Sequence, residues 1–409
     1  MKKGSVPLPK IKILKSAIVK SNLEDMDNFH RRERIYQSPV GKSNLVYEII
    51  PPELSFNKWN QNVFQGEQYS CQTAFREFQI VRPIETWNIK ELELINEDIQ
   101  EEEIDIKQFV LMAFHKLMEG IEEAWQPDLC HVFLHSSGHD SRLISVAIRK
   151  LYEKNGDDWL GKMLFFELSW ETEKFKKIME IEGWDKSQYV IYNEGAIPGE
   201  VHEKSFEFTN AWKRLNGGTI GYPINTNYDC IEWLQEQGII PEDDTQIQCI
   251  TGHAGTELAR FMIYPNKSIR QFFERMYYFA LTNFPLKSGN RLHPYYYLPF
   301  IRILKKYGKP HVNERSLSDV ILRYVAPELE IVERVTLEEL TAKGYLEISE
   351  RILKKVIKDF FNSWFARTYN PQVLPTKRLD YSEWWGFWNL ASFCGYLKDA
   401  GVKINASCI

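Results

Sequence analysis

From Cys130 to Lys150 the chain reads CHVFLHSSGHDSRLISVAIRK. His131-Val132-Phe133-Leu134 is a short apolar run with the length and composition of a buried parallel strand. Ser136 to Ser141 then breaks into small and polar residues, and Leu143, Ile144, Ala147 and Ile148 share one face of a helix. A strand, a turn of small hydroxylated residues and a helix N-terminus make a ready anion site. Backbone N–H groups point outward there, and the helix dipole favours negative charge. Ser136, Ser137 and Ser141 add hydroxyl donors, and Asp140 can hold a Mg2+ ion bridging phosphates. An ordinary strand-to-helix turn capped by serines fits the same residues. A Walker loop does not: the Gly-x4-Gly-Lys-Ser/Thr pattern and its lysine are missing.

Working outward, strand-like and helix-like stretches alternate. Lys162 to Leu168 reads as a second strand, Glu171 to Glu182 as a charged helix and Gln188 to Tyr192 as a third strand. A polar, Gly-rich loop (Gly217 to Asp229) leads into a helix from Cys230 to Gln237, and Thr245 to Ile250 is another buried strand. This alternation predicts an α/β fold: an open parallel sheet with helices on both faces. Ligands bind such sheets outside the carboxyl ends of the strands, where the Ser136 and Gly252 loops both fall.

Upstream, IKQFVLMAFHKLMEGIEEAW is a clear helix ending at Gln126-Pro127, behind an acidic segment from Glu91 to Asp105. Residues 1–42 read as a basic, loosely packed arm, and Leu45 to Ile84 as a small strand-containing region. The last third reads as mostly helical, with aromatic patches at RLHPYYYLPF (291–300) and YSEWWGFWNLASF (381–393). Trp384, Trp385, Phe387 and Trp388 suit a helix core, since an RNA-binding sheet would need them on strands with basic neighbours. The reading divides the chain into an N-terminal region (1–105), a core (106–310) and a helical C-terminal part (311–409).

A chain of 409 residues buries a large core and suggests about two or three domains. With 44% hydrophobic and 26% charged residues it has a globular composition. A net charge of −5 gives no general pull toward nucleic acid, and no apolar run is long enough to span a bilayer. The six cysteines include no CxxC pair, which suits a reducing, cytoplasmic setting.

SSGHDS (136–141) resembles the pyrophosphate loop of N-type ATP pyrophosphatases (PP-loop ATPases, adenine nucleotide alpha hydrolase-like), usually Ser-Gly-Gly-x-Asp-Ser. Ser141-Arg142-Leu143-Ile144 is similar to the synthetase domain of asparagine synthetases, as is the layout of KMLFFELSWETEKFKKIMEIEGW followed by YVIY. GYPINTNYD through GIIPEDDTQIQCITGHAGTEL resembles asparagine synthetase-like proteins encoded with surface-glycan genes, which carry a Gly-His-Ser/Thr-Gly-Asp turn. The resemblance covers roughly residues 105 to 310.

The resemblance implies ATP-dependent activation of a small-molecule carboxylate as an acyl-adenylate, with loss of pyrophosphate. Ammonia or an amine then gives an amide and AMP. Ser136, Ser137, Gly138 and Ser141, with Arg142 beside them, would cradle the departing phosphates, and Asp140 would ligate Mg2+. Backbone near Leu134 and Phe166 would hold adenine, Gly252 would allow close approach to the α-phosphate, and His253 would be the acid–base residue. The wall of the acid pocket would include RLHPYYYLPF, whose tyrosines and His293 suit a polar, ring-shaped substrate and a packed core nearly as well.

Four departures qualify it. Ser137 replaces the family's first glycine. Thr256 stands where a second metal aspartate is expected, with Glu257 beside it. Thr336 falls about where a catalytic lysine is expected, leaving Lys343, Lys377 and Arg378 as alternatives. Lys2 follows Met1 where a glutaminase nucleophile would be cysteine, so ammonia would come free, from a partner, or as an amine on the second substrate. The alternatives are a degenerate, non-catalytic nucleotide-binding or assembly protein, and a different PP-loop adenylating enzyme.

Overall fold

The structure, a computed structural model, describes residues 36–43, 49–56, 75–77, 79–80, 103–167, 171–192, 228–252, 255, 258–259, 291–312, 317–333, 336–342, 345–369 and 381–405. It is a mixed α/β protein built on a five-stranded, all-parallel sheet. In chain order the short N-terminal strands are β1 (Tyr36–Ser38), β2 (Gly41–Ser43), β3 (Glu53–Ser55) and β4 (Gln79–Ile80). The central sheet uses β5 (Cys130–Leu134), β6 (Lys162–Glu167), β7 (Tyr189–Ile191), β8 (Ile247–Thr251) and β9 (Arg291–Leu292). Their spatial order is β7-β6-β5-β8-β9. The chain therefore winds outward from β5 in one direction and resumes on its other side at β8. The switch point, the place where open α/β sheets commonly hold ligands, lies between these two strands.

The helices are α1 (Ile106–Ala124), α2 (His139–Asn155), α3 (Asp157–Leu160), α4 (Thr172–Glu182), α5 (Tyr228–Glu236), α6 (Leu298–Tyr307), α7 (Leu317–Val325), α8 (Leu337–Ala342), α9 (Tyr345–Asn362), α10 (Trp364–Tyr369) and α11 (Tyr381–Asp399). The two-residue period of the strands sorts their side chains onto two faces. Cys130, Val132, Leu164, Phe166, Ile247 and Cys249 pack with Ile231 and Leu234 of α5. Phe133, Phe165 and Ile250 pack with Leu143, Ile144 and Ala147 of α2 and with α1 and α4 on the opposite face. Both faces are covered, so the strand sequences are apolar throughout. Each fully buried phenylalanine stabilises the fold by roughly 1.5–3 kcal/mol.

The expected strands and helices at 106–124, 130–155, 162–191 and 228–251 form with ends shifted by a few residues at most. Residues 291–300 are a correction. The stretch opens as β9, parallel to β8, and Tyr295, Tyr296 and Tyr297 are buried beneath it. They pack in the core, one of the two readings that the sequence leaves open for this stretch. The last third is therefore helical apart from β9 and a final strand, β10 (Lys403–Asn405). β10 pairs in parallel with β3, so the N-terminal region and the C-terminal helices share one structure. Phe75 stacks on Phe56 at 4.9 Å and meets Phe393 of α11 edge-on. Residues 36–42, expected at the end of the arm, instead build the antiparallel pair β1 and β2, closed by a turn at Ser38 whose hydroxyl bonds the Ile49 carbonyl. Trp388 is buried in α11, as a helix-core residue; the side chains of Trp384, Trp385 and Phe387, the rest of the basic arm (1–35) and residues 217–227 of the Gly-rich loop lie outside the described residues. Among the described residues no helix is long and apolar enough to cross a membrane.

Candidate functional site

β5 ends at Leu134, in register with Phe166 of β6 and Thr251 of β8. The backbone of His135 makes one more sheet bond, N–H to Phe166 O at 2.9 Å, and the chain then turns. Ser137 takes φ +54°, among the described residues the only non-glycine with positive φ. A side chain there costs about 1–2 kcal/mol relative to glycine. The conformation is held from both sides: its N–H donates to His135 Nδ1 (3.1 Å), and its carbonyl accepts from Arg142 Nε (2.9 Å). The Ser137 hydroxyl is buried with no hydrogen-bond partner. It lies inside the turn, whereas Ser136 is exposed at the turn's outer side. Ser136 Oγ lies 3.0 Å from Ser141 Oγ, so those two hydroxyls tie the loop's ends together.

α2 starts from Gly138, whose extended backbone carries no side-chain cap. Glycine leaves the first turn open to a ligand in a way that a capping Asp or Ser would not. The second loop closes over this turn. A Cβ on Gly252 would come within 3.2 Å of Ser141 Cα and 3.3 Å of its N, and one on Gly255 within 2.5 Å of Asp140 Oδ1. Glycine at both places lets the chain leaving β8 rest directly on Asp140 and Ser141.

From the C-terminal side, α7 supplies the remaining wall. Ser318 Oγ donates to Asp140 Oδ1 at 2.5 Å, and Asp319 pairs with His139. Tyr295 donates to the Asp140 carbonyl at 2.8 Å and lies 3.2 Å from Ser318 Oγ. Burial, with the Asp140 charge adding to it, holds the Tyr295 phenol well above its ordinary range, so it stays protonated and a donor.

Arg142 turns into the interior beneath the loop. Only 1% exposed, it sends NH1 to the Val332 carbonyl (2.6 Å) and the Leu329 carbonyl (3.4 Å), and NH2 to Glu333 O (3.4 Å). Its donors are spent on backbone oxygens, so its expected contact with phosphate is corrected to a structural grip on residues 329–333. Beneath the loop, His135 Nε2 lies 3.3 Å from Ser145 Oγ, which donates to Glu182 Oε1 (2.7 Å); Trp184 Nε1 donates to Glu182 Oε2 (2.7 Å). Burial pushes the Glu182 carboxyl up to about 7 and the His135 imidazole down to about 3, so the histidine is neutral.

Leu134, Ser136, Ser137, Gly138, Asp140, Ser141 and Gly252 thus converge at the switch point, and Phe166 stands beside Leu134 at the sheet edge. His253, Glu257 and Lys343, with Thr256, Lys377 and Arg378, lie outside the described residues. Thr336 has a structural task. Its hydroxyl accepts from Glu339 N (3.1 Å) and its N–H donates to Glu339 Oε2 (2.8 Å), a capping box starting α8. The pattern Thr-x-x-Glu signals this in the sequence. Ser318, Asp319 and Tyr295 carry no such signal, being 155 to 180 positions from the residues they touch.

The donor set suits an anion: an uncapped first turn, an exposed serine and two glycine approaches. Among the described residues no three His, Cys, Asp or Glu side chains gather as a metal cage. No protein-family model matches the chain, and comparison with curated proteins finds no match to it.

Proposed function

We propose that this protein is an ATP-dependent, asparagine synthetase-like ligase that adenylates a carboxylate and forms an amide with ammonia or an amine. In the first step a carboxylate oxygen bonds to the α-phosphorus of ATP and pyrophosphate leaves. In the second, nitrogen bonds to the acyl carbon, AMP leaves, and the nitrogen's proton passes to a base. The observation that carries the reading is the seating of Gly252 and Gly255 on Ser141 and Asp140 at the switch point. A serine-rich loop and a glycine turn brought together there support a reading as a phosphate site.

In this reading the first turn of α2 and the Ser136 hydroxyl bind the phosphates that leave. Asp140 would hold Mg2+, which offsets charge on the leaving group. To do so its carboxylate would share or exchange the hydrogen bond from Ser318. Leu134 and Phe166 offer the sheet edge to adenine.

A second reading, nucleotide binding without ligation, is favoured by Thr336: the residue at the expected lysine position is committed to capping α8. Calorimetry with MgATP, on wild type and Asp140→Ala, followed by pyrophosphate-release assays over a panel of carboxylic acids, separates the two. The ligase reading expects Mg2+-dependent binding lost in the variant, and pyrophosphate released with at least one acid. Binding with no release across the panel favours the second reading. No binding by wild type sinks both.

A further inference from the structure

We propose that His135 and Arg142 form a buried clamp that sets Ser137 in its left-handed conformation, and that His135 is a positioning residue of the phosphate loop. The link to phosphate rests on the ligase reading above; the clamp itself does not.

A left-handed backbone is freely available to glycine and disfavoured for serine, yet Ser137 holds φ +54° in the turn between β5 and α2. Such a conformation persists when the surroundings over-determine it. Here both backbone polar groups of the residue are taken by buried side chains. His135 Nδ1 accepts its N–H at 3.1 Å, and Arg142 Nε donates to its carbonyl at 2.9 Å. An incoming anion therefore meets a turn whose shape is already fixed.

The clamp is itself braced. Because His135 Nδ1 accepts, the ring proton sits on Nε2, which faces Ser145 Oγ at 3.3 Å. Ser145 Oγ donates a hydrogen bond to Glu182 Oε1 at 2.7 Å, and the indole N–H of Trp184 donates to the other carboxyl oxygen. Phe133, Phe165 and Phe175 meet the imidazole edge-on or tilted, which limits its rotation. Arg142 is fixed at its far end by the carbonyls of Leu329, Val332 and Glu333. Neither jaw can drift without breaking buried hydrogen bonds.

The test is a double-mutant cycle on the full chain. His135→Leu removes the acceptor while keeping an apolar side chain of similar reach. His135→Asn keeps an acceptor near the Nδ1 position. Ser137→Gly removes the need for a clamp. Thermal unfolding without ligand is one readout, and binding of MgATP and of inorganic pyrophosphate is the other.

The clamp predicts that His135→Leu lowers the melting temperature by about 1–4 °C in the Ser137 background, and by clearly less in the Ser137→Gly background. It also predicts that His135→Leu weakens pyrophosphate binding about tenfold, the worth of one well-placed hydrogen bond. Ser137→Gly recovers most of that loss, and His135→Asn stays close to wild type. Equal melting shifts in the two backgrounds overturn the clamp whether or not the protein binds phosphate. Coupled melting shifts in a wild-type protein that binds neither probe keep the clamp and overturn its assignment to a phosphate loop. If His135→Leu does not fold, His135→Asn decides: a melt near wild type supports the acceptor role, and a comparable collapse overturns it.

Discussion

α1 and α2 stand side by side and start in opposite ways. α1 is closed by its own cap, the Asp105 carboxylate accepting from the N–H groups of Lys107 and Gln108 at 3.1 and 3.3 Å. α2 begins at Gly138 with no side-chain cap, and the residues around its start are held by Ser318, Asp319 and Tyr295 from far along the chain and by its own Arg142, itself anchored to residues 329–333. A helix whose start serves only the fold is finished locally, within three residues. A helix that starts without a side-chain cap of its own is instead held by contacts drawn from distant parts of the chain, an arrangement compatible with the proposed phosphate site.

The largest test of that contrast is Arg142→Ala. It strands the carbonyls of Ser137, Leu329 and Val332 together, and the expected cost is about 3–5 kcal/mol in urea unfolding. A loss under about 1 kcal/mol would mean that the open start does not depend on this scaffold.

Gly255→Ala should act on function more than on stability. Its methyl group would turn the Asp140 carboxylate away, lowering Mg2+-dependent ATP affinity by about a hundredfold, equivalent to about 2.7 kcal/mol. Calorimetry with and without Mg2+ reads it, and unchanged Mg2+ dependence would break the assignment of Asp140.

A pH series examines what lies beneath α2. Glu182 is raised from its ordinary 4.5 to about 7, so its contribution to stability is fully present below about 4.5 and is lost as pH rises through about 7. His135 and His131, lowered from 6.5 to about 3 and about 4, act oppositely, and their contributions are lost as pH falls below 6.5. Glu182→Gln removes only the first effect. Between pH 5 and 7 its stability relative to wild type should climb by about 1.4 kcal/mol per pH unit. A constant difference across those pH values would show that Glu182 does not titrate there.

The smallest effect belongs to the closed helix. Asp105→Ala should cost about 1 kcal/mol and leave ATP binding unchanged. Its counterpart, Gly138→Asp, should add a few tenths of a kcal/mol while weakening pyrophosphate binding. If both substitutions affect binding alike, the two starts do not differ in the way described.

The alternation of apolar runs made the sheet legible because its strands are buried on both faces, and the helices were legible from their stripes. β9 escaped notice because two residues carry no periodicity and the aromatic run after Leu292 dominates the local pattern. Ser136, Gly138 and Asp140 were legible as a loop since small and acidic residues have few other reasons to follow a buried strand. The direction of Arg142 was not. A charged residue beside an anion loop reads as a ligand contact, and only the fold brings Val332, 190 positions away, to its guanidinium. The strain at Ser137 was equally hidden, because a serine announces no positive φ as a glycine would. Thr336 was readable from Thr-Leu-Glu-Glu as a helix start, a plainer signal than the lysine expected in its place.

The pairing of β3 with β10 has a consequence for how the protein is made. Glu53 and Lys403 are 350 positions apart, yet they lie opposite each other in one small parallel sheet. At a synthesis rate of about 5–20 residues per second, β3 leaves the ribosome roughly 20–70 s before its partner does. Over that interval the edge of β3 that β10 later covers lacks its native neighbour, and Phe56 and Phe75 lack Phe365 and Phe393. Hydrogen-exchange labelling of stalled nascent chains should find this region acquiring protection last, after the switch-point loop below it has already formed.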